Sequence, residues 1–155
     1  MEATMYKKIL VPLDGSELAE CVLSHLRGLV KEGSAKEVTL LNVIKVDVPW
    51  GELYGKNFDI NVMREALFAS ARKHLAKIES QLNSEGIKVK TVSLEANSPA
   101  HKIVEYAQET GMELIIMGTH GYTGLKKLLM GSVASGVLNL SSVPVLLIRP
   151  ESCRL

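Results

Sequence analysis

Short apolar runs alternate along this chain with segments whose apolar residues recur at helical spacing, and this alternation restricts the fold more than any other feature. Five runs indicate strands, at residues 9–13, 38–44, 87–94, 113–117 and 143–148. Helical patterns separate them, as expected when neighbouring strands run parallel and each connection crosses over the sheet. The sequence therefore predicts an α/β fold in which helices cover both faces of a doubly wound parallel sheet.

The strand order follows from how hydrophobic each run is. The first and fourth runs are the most continuously apolar, which places them in the centre, whereas the third largely alternates between apolar and polar residues, as an edge strand does. These features predict a five-stranded, Rossmann-like sheet of order 3-2-1-4-5. In that order the winding reverses between strands one and four, so their carboxyl ends open a crevice for a ligand. Asp14 and Gly118 lie at those two ends.

Residues that typically begin or end helices indicate where the helices between the strands lie. The first helix is predicted to begin at Ser16, the second to include the apolar stripe over 67–82, the third to follow Ser98, and the fourth to begin near Ser132. Residues 47–61 are the least patterned stretch and predict a surface loop or lid.

Length and composition limit the class of protein. The chain has 155 residues, so we expect a single domain over residues 1–155. Lys and Arg total 18 and Asp and Glu total 17, a net charge of +1, which favours neither nucleic acid nor a membrane surface as a partner. The amino-terminal residues resemble neither a signal peptide nor a membrane span. Cys21 and Cys153 form no CxxC pair, which argues against a disulfide scaffold and favours a cytoplasmic location.

Glycine is concentrated in the loop after the fourth strand, at Gly118, Gly121, Gly124 and Gly131. Glycine lets backbone amides approach an oxyanion, and a helix that begins at Ser132 would direct its N–H groups at the same spot, which favours a phosphate. The loop lacks GxxxxGK[ST] and the first strand–helix turn lacks GxGxxG, which disfavours a P-loop and an ordinary dinucleotide fold. By themselves, these glycines also fit a flexible connection that merely turns the chain.

Two polar residues near the expected crevice each have two interpretations. Asp14 is either a ligand contact or a turn former before Gly15. His120 can serve in acid–base chemistry, but no orienting carboxylate or nucleophile stands at a recognisable spacing, so a structural loop histidine is favoured. The sequence therefore predicts no catalytic residue and no metal site built from the protein's own ligands.

The glycine spacing and three of the strands together resemble the universal stress protein family. The spacing Gly118-x2-Gly121-x9-Gly131-Ser132 is similar to the family's nucleotide-binding signature, and the runs KILVPLD, LLNVI and VPVLLI resemble the first, second and last strands of its members. The likeness extends over nearly the whole chain. It implies an adenine-nucleotide-binding α/β fold and, because all four signature positions are filled, the ATP-binding branch of the family.

The resemblance also implies roles by position. The backbone around Pro12 and Leu13 and the main chain of Val43 would meet the adenine, and Asp14 would face the ribose or, through water, a Mg²⁺ or Mn²⁺ ion on the phosphates. Gly136 departs from the expected pattern, because glycine inside a helix is less favourable than alanine by ~1 kcal/mol. The ribose–triphosphate end would be held by residues of the glycine loop and the next helix: Gly118, Thr119, His120, Gly121, Gly131, Ser132 and Val133.

The implied function is that of an ATP-binding regulator or switch in the stress response, with ATP, ADP or AMP as the resident nucleotide and at most slow or partner-stimulated hydrolysis. Two alternatives stay open, a nucleotide-hydrolysing or adenylate-forming enzyme and a nucleotide-free dimerisation module. The last apolar run begins at Val143 and ends at Ile148, and its predicted place at the sheet edge invites pairing with another chain. The resemblance likewise implies a homodimer joined through this strand.

Overall fold

The computed structural model describes residues 6–17, 19–33, 35–48, 58–120 and 130–150, in which strands and helices alternate as predicted. The strands are β1 (Lys8–Pro12), β2 (Glu37–Ile44), β3 (Val89–Glu95), β4 (Leu114–Gly118) and β5 (Val145–Ile148). The α-helices are α1 (Leu23–Lys31), α2 (Ile60–Ser84), α3 (Pro99–Glu109) and α4 (Ser132–Leu140), and a short 3₁₀ helix, Ala19–Val22, precedes α1. None of these described helices is long and apolar enough to cross a membrane.

The strands form one parallel sheet in the order β3-β2-β1-β4-β5. β1 lies in the centre, where Leu10 stands opposite Thr39 of β2 on one side and Ile115 of β4 on the other. The α/β fold class and the strand order predicted from the sequence are therefore confirmed. The winding reverses between β1 and β4, as the position of the candidate crevice requires.

Both faces of the sheet are covered by helices, because successive residues of the central strands point to opposite faces. On one face, Val11 packs in a cluster with Leu26 of α1 and Leu75 of α2. On the other face, Leu10 packs in a cluster with Ile103 of α3 and residues of α4. Each fully buried aliphatic side chain of this kind contributes ~1.5–3 kcal/mol, so the two clusters hold the helices firmly against the sheet.

The first α-helix begins later than the sequence predicts. The N-cap position of α1 is Val22, and Ser16 lies in a turn in which its backbone N–H and its hydroxyl both donate to Asp14 Oδ1, at 2.9 and 2.6 Å. Gly15 between them has a φ of +87°, a conformation that glycine adopts without steric conflict. The Ser16 hydroxyl is thus used in a turn, and the chain passes through the 3₁₀ helix before α1 begins at Leu23.

The second helix begins earlier than its apolar stripe indicates. Its N-cap is Asp59, whose carboxylate accepts the Asn61 N–H at 2.8 Å. The predicted loop over 47–61 is therefore wrong for its last two residues, while 49–57 lie outside the described residues. The side chains that α2 buries begin only at Ala71, so its first turns lie ahead of the part of the helix that packs in the core.

Helices α3 and α4 approach each other closely at Gly136. A Cβ placed on Gly136 would lie 2.6 Å from the Cβ of Ala100 in α3. The glycine that weakens α4 as an isolated helix therefore allows the two helices to pack. This contact sets the start of α4 beside the first turn of α3, at the carboxyl edge of the sheet.

Candidate functional site

A cavity of about 200 Å³ lies at the carboxyl edge of the sheet, where the winding reverses between β1 and β4. Its walls come from the ends of β1, β2 and β4 and from the first turns of α3 and α4. The described residues that line it are Pro12, Leu13, Asp14, Leu41, Val43, Pro99, Ile103, Met117, Gly118, Thr119, His120, Gly131, Ser132, Val133 and Ala134. Segments that are distant in sequence thus meet at the place where doubly wound sheets bind ligands.

The residues that follow β1 are held by hydrogen bonds to β2. The Leu13 N–H donates to the Leu41 carbonyl at 2.8 Å, and the Leu13 carbonyl accepts the side-chain amide of Asn42 at 2.9 Å. Asn42 is only 6% exposed; the sequence analysis did not select it, although a polar residue inside an apolar run was an available signal. Asp14 comes next, exposed at the cavity wall, with its Oδ1 bonded to Ser16. The Asp14 carboxylate therefore has a defined position beside the cavity.

The residues that follow β4 are polar and buried. Thr119 is 8% exposed and His120 is 4% exposed, and both line the cavity. The Thr119 N–H donates to the Ile148 carbonyl of β5 at 2.9 Å, and the Thr119 hydroxyl lies 2.9 Å from His120 Nδ1. A hydroxyl is thus one partner of the His120 ring, and it helps to hold the imidazole in the cavity wall.

The N-terminus of α4 adjoins the same cavity. Ser135 donates the first hydrogen bond within the helix, to the Gly131 carbonyl at 3.0 Å, so the N–H groups of the first three helical residues have no acceptor inside the helix. The Gly131 N–H donates to the Thr119 carbonyl at 2.6 Å. Gly131, expected to help hold the phosphates, therefore uses its N–H within the wall, and the N–H groups without an acceptor inside the helix begin at Ser132.

The charge of the cavity comes from few side chains. Of the described residues that line it, Asp14 and His120 are the two with titratable side chains. Within the same ranges, no group of three or more His, Cys, Asp or Glu side chains could hold a metal ion. In the described part of the site, attraction for an anion therefore comes from backbone N–H groups and the positive end of the α4 dipole.

The structure brings every sequence-predicted site residue that it describes to this one cavity. Gly121 lies outside the described residues. The cavity wall also includes apolar residues that the sequence analysis did not select, because their patterns match those of ordinary core positions: Leu41, Pro99, Ile103, Met117 and Ala134.

Comparison with known proteins identifies the family to which this chain is similar. The model of the universal stress protein family matches residues 5–149. Universal stress protein MJ0577 of Methanocaldococcus jannaschii is 35% identical over 162 residues, which cover 97% of this chain and 99% of that protein. Universal stress protein YxiE of Bacillus subtilis is 31% identical over 150 residues, which cover 94% of this chain and 100% of that protein.

Solved structures agree with the sequence comparisons. The structure of MJ0577 has a TM-score of 0.80 at 37% identity, with 95% of this chain and 98% of that chain covered. A family protein from Arabidopsis thaliana, solved with AMP bound, has a TM-score of 0.66 at 17% identity, with 94% and 92% covered, a likeness that concerns the fold alone. Because the family model matches almost the entire sequence and two full-length relatives exceed 30% identity, the chain belongs to the universal stress protein family.

Proposed function

We propose that this family member binds an adenine nucleotide, with ATP as the expected ligand, in the cavity at the carboxyl edge of the sheet. One observation carries the proposal: the ends of β1 and β4 and the start of α4 line a single cavity at the point where the winding reverses. The bound nucleotide would act as a regulatory signal in the stress response, with hydrolysis that is slow or stimulated by a partner.

The chemistry of the cavity wall supports this ligand. Apolar side chains from β2 and α3, such as Val43 and Ile103, suit a purine ring, and the N–H groups that begin at Ser132 suit phosphate. The Asp14 carboxylate suits a ribose, because it accepts hydrogen bonds from hydroxyl groups but repels phosphate. The AMP held by the Arabidopsis protein is consistent with an adenine nucleotide on this fold.

A divalent cation would accompany the triphosphate without a cage of protein ligands. Asp14 is the one carboxylate among the described residues that line the cavity. Mg²⁺ typically keeps several waters and uses substrate phosphates with one or two carboxylates, so an ion on the triphosphate that contacts Asp14 through water fits the residues present. Mn²⁺ fits the same oxygen ligands.

The residues present favour regulation over rapid turnover. Phosphoryl transfer needs a base or a residue that positions water, together with a cation clamp. His120 is the candidate base among the described lining residues, but its Nδ1 is hydrogen-bonded to a hydroxyl. Steady ATP turnover by the pure protein, abolished in His120→Gln, would contradict the regulatory proposal and favour the enzyme.

Release of the resident ligand tests the proposal directly. The purified protein is denatured, and the small molecules released are identified by mass spectrometry, while calorimetry measures the affinity of ligand-free protein for ATP, ADP and AMP. We expect an adenine nucleotide in the released fraction and saturable ATP binding at one site per chain. No released nucleotide and no calorimetric binding of any of the three would overturn the proposal.

A homodimer joined along β5 is part of the same proposal. β5 is an edge strand, and its Leu146 is 37% exposed, as expected for a strand that pairs with a second copy. Light scattering at micromolar concentration should give twice the mass of the chain, and Leu146→Lys should shift the protein toward monomer. A wild-type monomer at that concentration would contradict the dimer.

A further inference from the structure

The hydrogen bonds between β1 and β2 change at the point where β1 reaches the cavity. In a parallel pair, both polar groups of a residue point to the same neighbouring strand, and the next residue points to the other one. The Leu13 N–H donates to the Leu41 carbonyl at 2.8 Å, so the backbone of Leu41 faces β1. By the same alternation the Val43 backbone also faces β1, and the Val43 N–H is the ladder partner expected for the Leu13 carbonyl.

A side chain takes the place of that backbone donor. The Leu13 carbonyl accepts Asn42 Nδ2 at 2.9 Å, and the β1–β2 register within the described residues ends at Pro12 opposite Leu41. The Asn42 amide presents its nitrogen because a carbonyl can only accept a hydrogen bond. Val43 lines the cavity and lies beyond the last pair of the ladder.

The use of the Asn42 amide in place of a backbone donor matters because both groups are buried. Asn42 is one of few polar side chains buried in the described part of the sheet, at 6% exposed. A buried carbonyl without a donor costs ~1–3 kcal/mol, so without the Asn42 amide the Leu13 carbonyl would draw in the Val43 N–H. That extra ladder bond would close the end of the cavity formed by β1 and β2.

We infer that Asn42 is a positioning residue for base recognition: by satisfying the Leu13 carbonyl, it keeps the Val43 main chain available to hydrogen-bond the edge of the purine. The inference rests on the proposed nucleotide function and deepens it, because it assigns selectivity for the base to a residue outside the cavity wall. The phosphate end, at the start of α4, has no part in this role.

Asn42→Leu removes the donor and keeps the approximate side-chain volume. We expect the affinity for ATP to fall ~10-fold or more, as the loss of well-placed hydrogen bonds to a buried group implies, while the affinity for inorganic tripolyphosphate stays within twofold of wild type. Calorimetry with both ligands measures the split. A purely structural role would lower both affinities together or neither, and either result would overturn the inference.

Thr39→Val is the matched control, because Thr39 is a buried polar residue of the same strand that does not line the cavity. It should leave both affinities within twofold of wild type. If Thr39→Val also lowered the affinity for ATP and not that for tripolyphosphate, the loss of any polar side chain in β2 would have this effect. That result would overturn the assignment to Asn42.

Amide hydrogen exchange of ligand-free wild type gives a test that needs no variant to fold and no nucleotide to bind. The Val43 amide should exchange much faster than the Leu41 amide, which lies within the ladder. Equal protection of the two amides would overturn the inference. Fast Val43 exchange in a wild-type protein that binds no nucleotide would instead support the backbone arrangement and remove only the proposed function.

Discussion

The two edges of the sheet use their polar groups in different ways. At the amino edge, polar groups have partners within the chain: the Lys8 amine donates to the Thr110 carbonyl at 3.0 Å, and Arg27 donates to both carboxylate oxygens of Glu85, at 2.6 and 2.9 Å. At the carboxyl edge, the first N–H groups of α4 have no acceptor inside their helix and adjoin a cavity. The contrast is thus between charged side chains that have partners at the amino edge and helix N–H groups that adjoin a cavity at the carboxyl edge.

The difference follows from the direction of the chain. In a parallel sheet with crossover connections, each helix begins near the carboxyl edge and ends near the amino edge. Helix starts present N–H groups that attract anions, whereas helix ends present carbonyl groups that attract cations such as the Lys8 amine. Substitutions at the carboxyl edge should therefore affect ligand binding, and those at the amino edge should affect stability alone.

Gly131→Leu should have the largest effect on this contrast. Gly131 lines the cavity, so a leucine side chain there would occupy space that the proposed nucleotide needs. We expect ATP affinity to fall more than ~100-fold by calorimetry, with a circular dichroism spectrum that matches wild type. Gly28→Ala is the control: Gly28 lies in α1, and beyond its chain neighbours and the backbone of its own helix a Cβ there would have no described heavy atom within 4 Å. It should leave ATP affinity unchanged; unchanged affinity in Gly131→Leu would mean that the ligand binds elsewhere.

Gly136→Ala tests whether helix packing sets the position of the carboxyl edge. The new Cβ would meet the Ala100 Cβ at 2.6 Å, and overpacking of this kind destabilises by ~1–3 kcal/mol. Urea unfolding should show that loss, together with weaker ATP binding because the start of α4 moves. Ala100→Gly combined with Gly136→Ala should recover most of the lost stability. A single variant as stable as wild type would contradict the close approach of the two helices.

Asp14→Ala should weaken ATP binding by ~10-fold, the size expected for one charge-assisted hydrogen bond to a ribose hydroxyl or to a water on the cation. Calorimetry with and without Mg²⁺ separates the two roles. A loss that is equal in both conditions indicates ribose contact, and a loss confined to Mg²⁺ indicates the cation. Affinity equal to wild type in both conditions would mean that Asp14 serves only as a turn former.

Glu85→Gln at the amino edge should have the smallest effect, on stability and not on binding. The hydrogen bond from the Arg27 guanidinium holds the pKa of the Glu85 carboxyl below its usual range. Because the pKa of Glu85 is lower in the folded than in the unfolded state, the pair stabilises the fold at pH values above the unfolded-state pKa. This stabilisation is lost as the pH falls through the folded-state pKa. Thermal unfolding from pH 7 to pH 3 should thus show a slightly smaller loss of Tm in Glu85→Gln than in wild type. Parallel Tm curves would contradict a contribution from this pair.

Much of the fold could be predicted because the relevant signals are local. Each strand and helix has its own apolar pattern, and the mixture of apolar and polar residues in β3 marks it as an edge. The starts of two helices differ from those predicted. Ser16 bonds Asp14 in a turn and α1 begins only at Leu23, and α2 begins after the Asp59 cap, before the stripe that was used to predict it. Such choices depend on hydrogen bonds that compete within a few residues, which residue spacing does not resolve.

By itself, the sequence determined the order of the strands, the edge at which the candidate site lies and the glycine spacing that indicates phosphate, because periodicity and spacing are properties of neighbours along the chain. Three contacts were decided only by the tertiary structure. The Gly131 N–H donates to the Thr119 carbonyl, the Asn42 amide donates to the Leu13 carbonyl, and Gly136 lets α4 pack closely against Ala100. The physical reason is that each of these contacts joins residues that are distant in sequence, and the partner of a hydrogen bond or of a close packing contact exists only once the sheet and its helices have assembled.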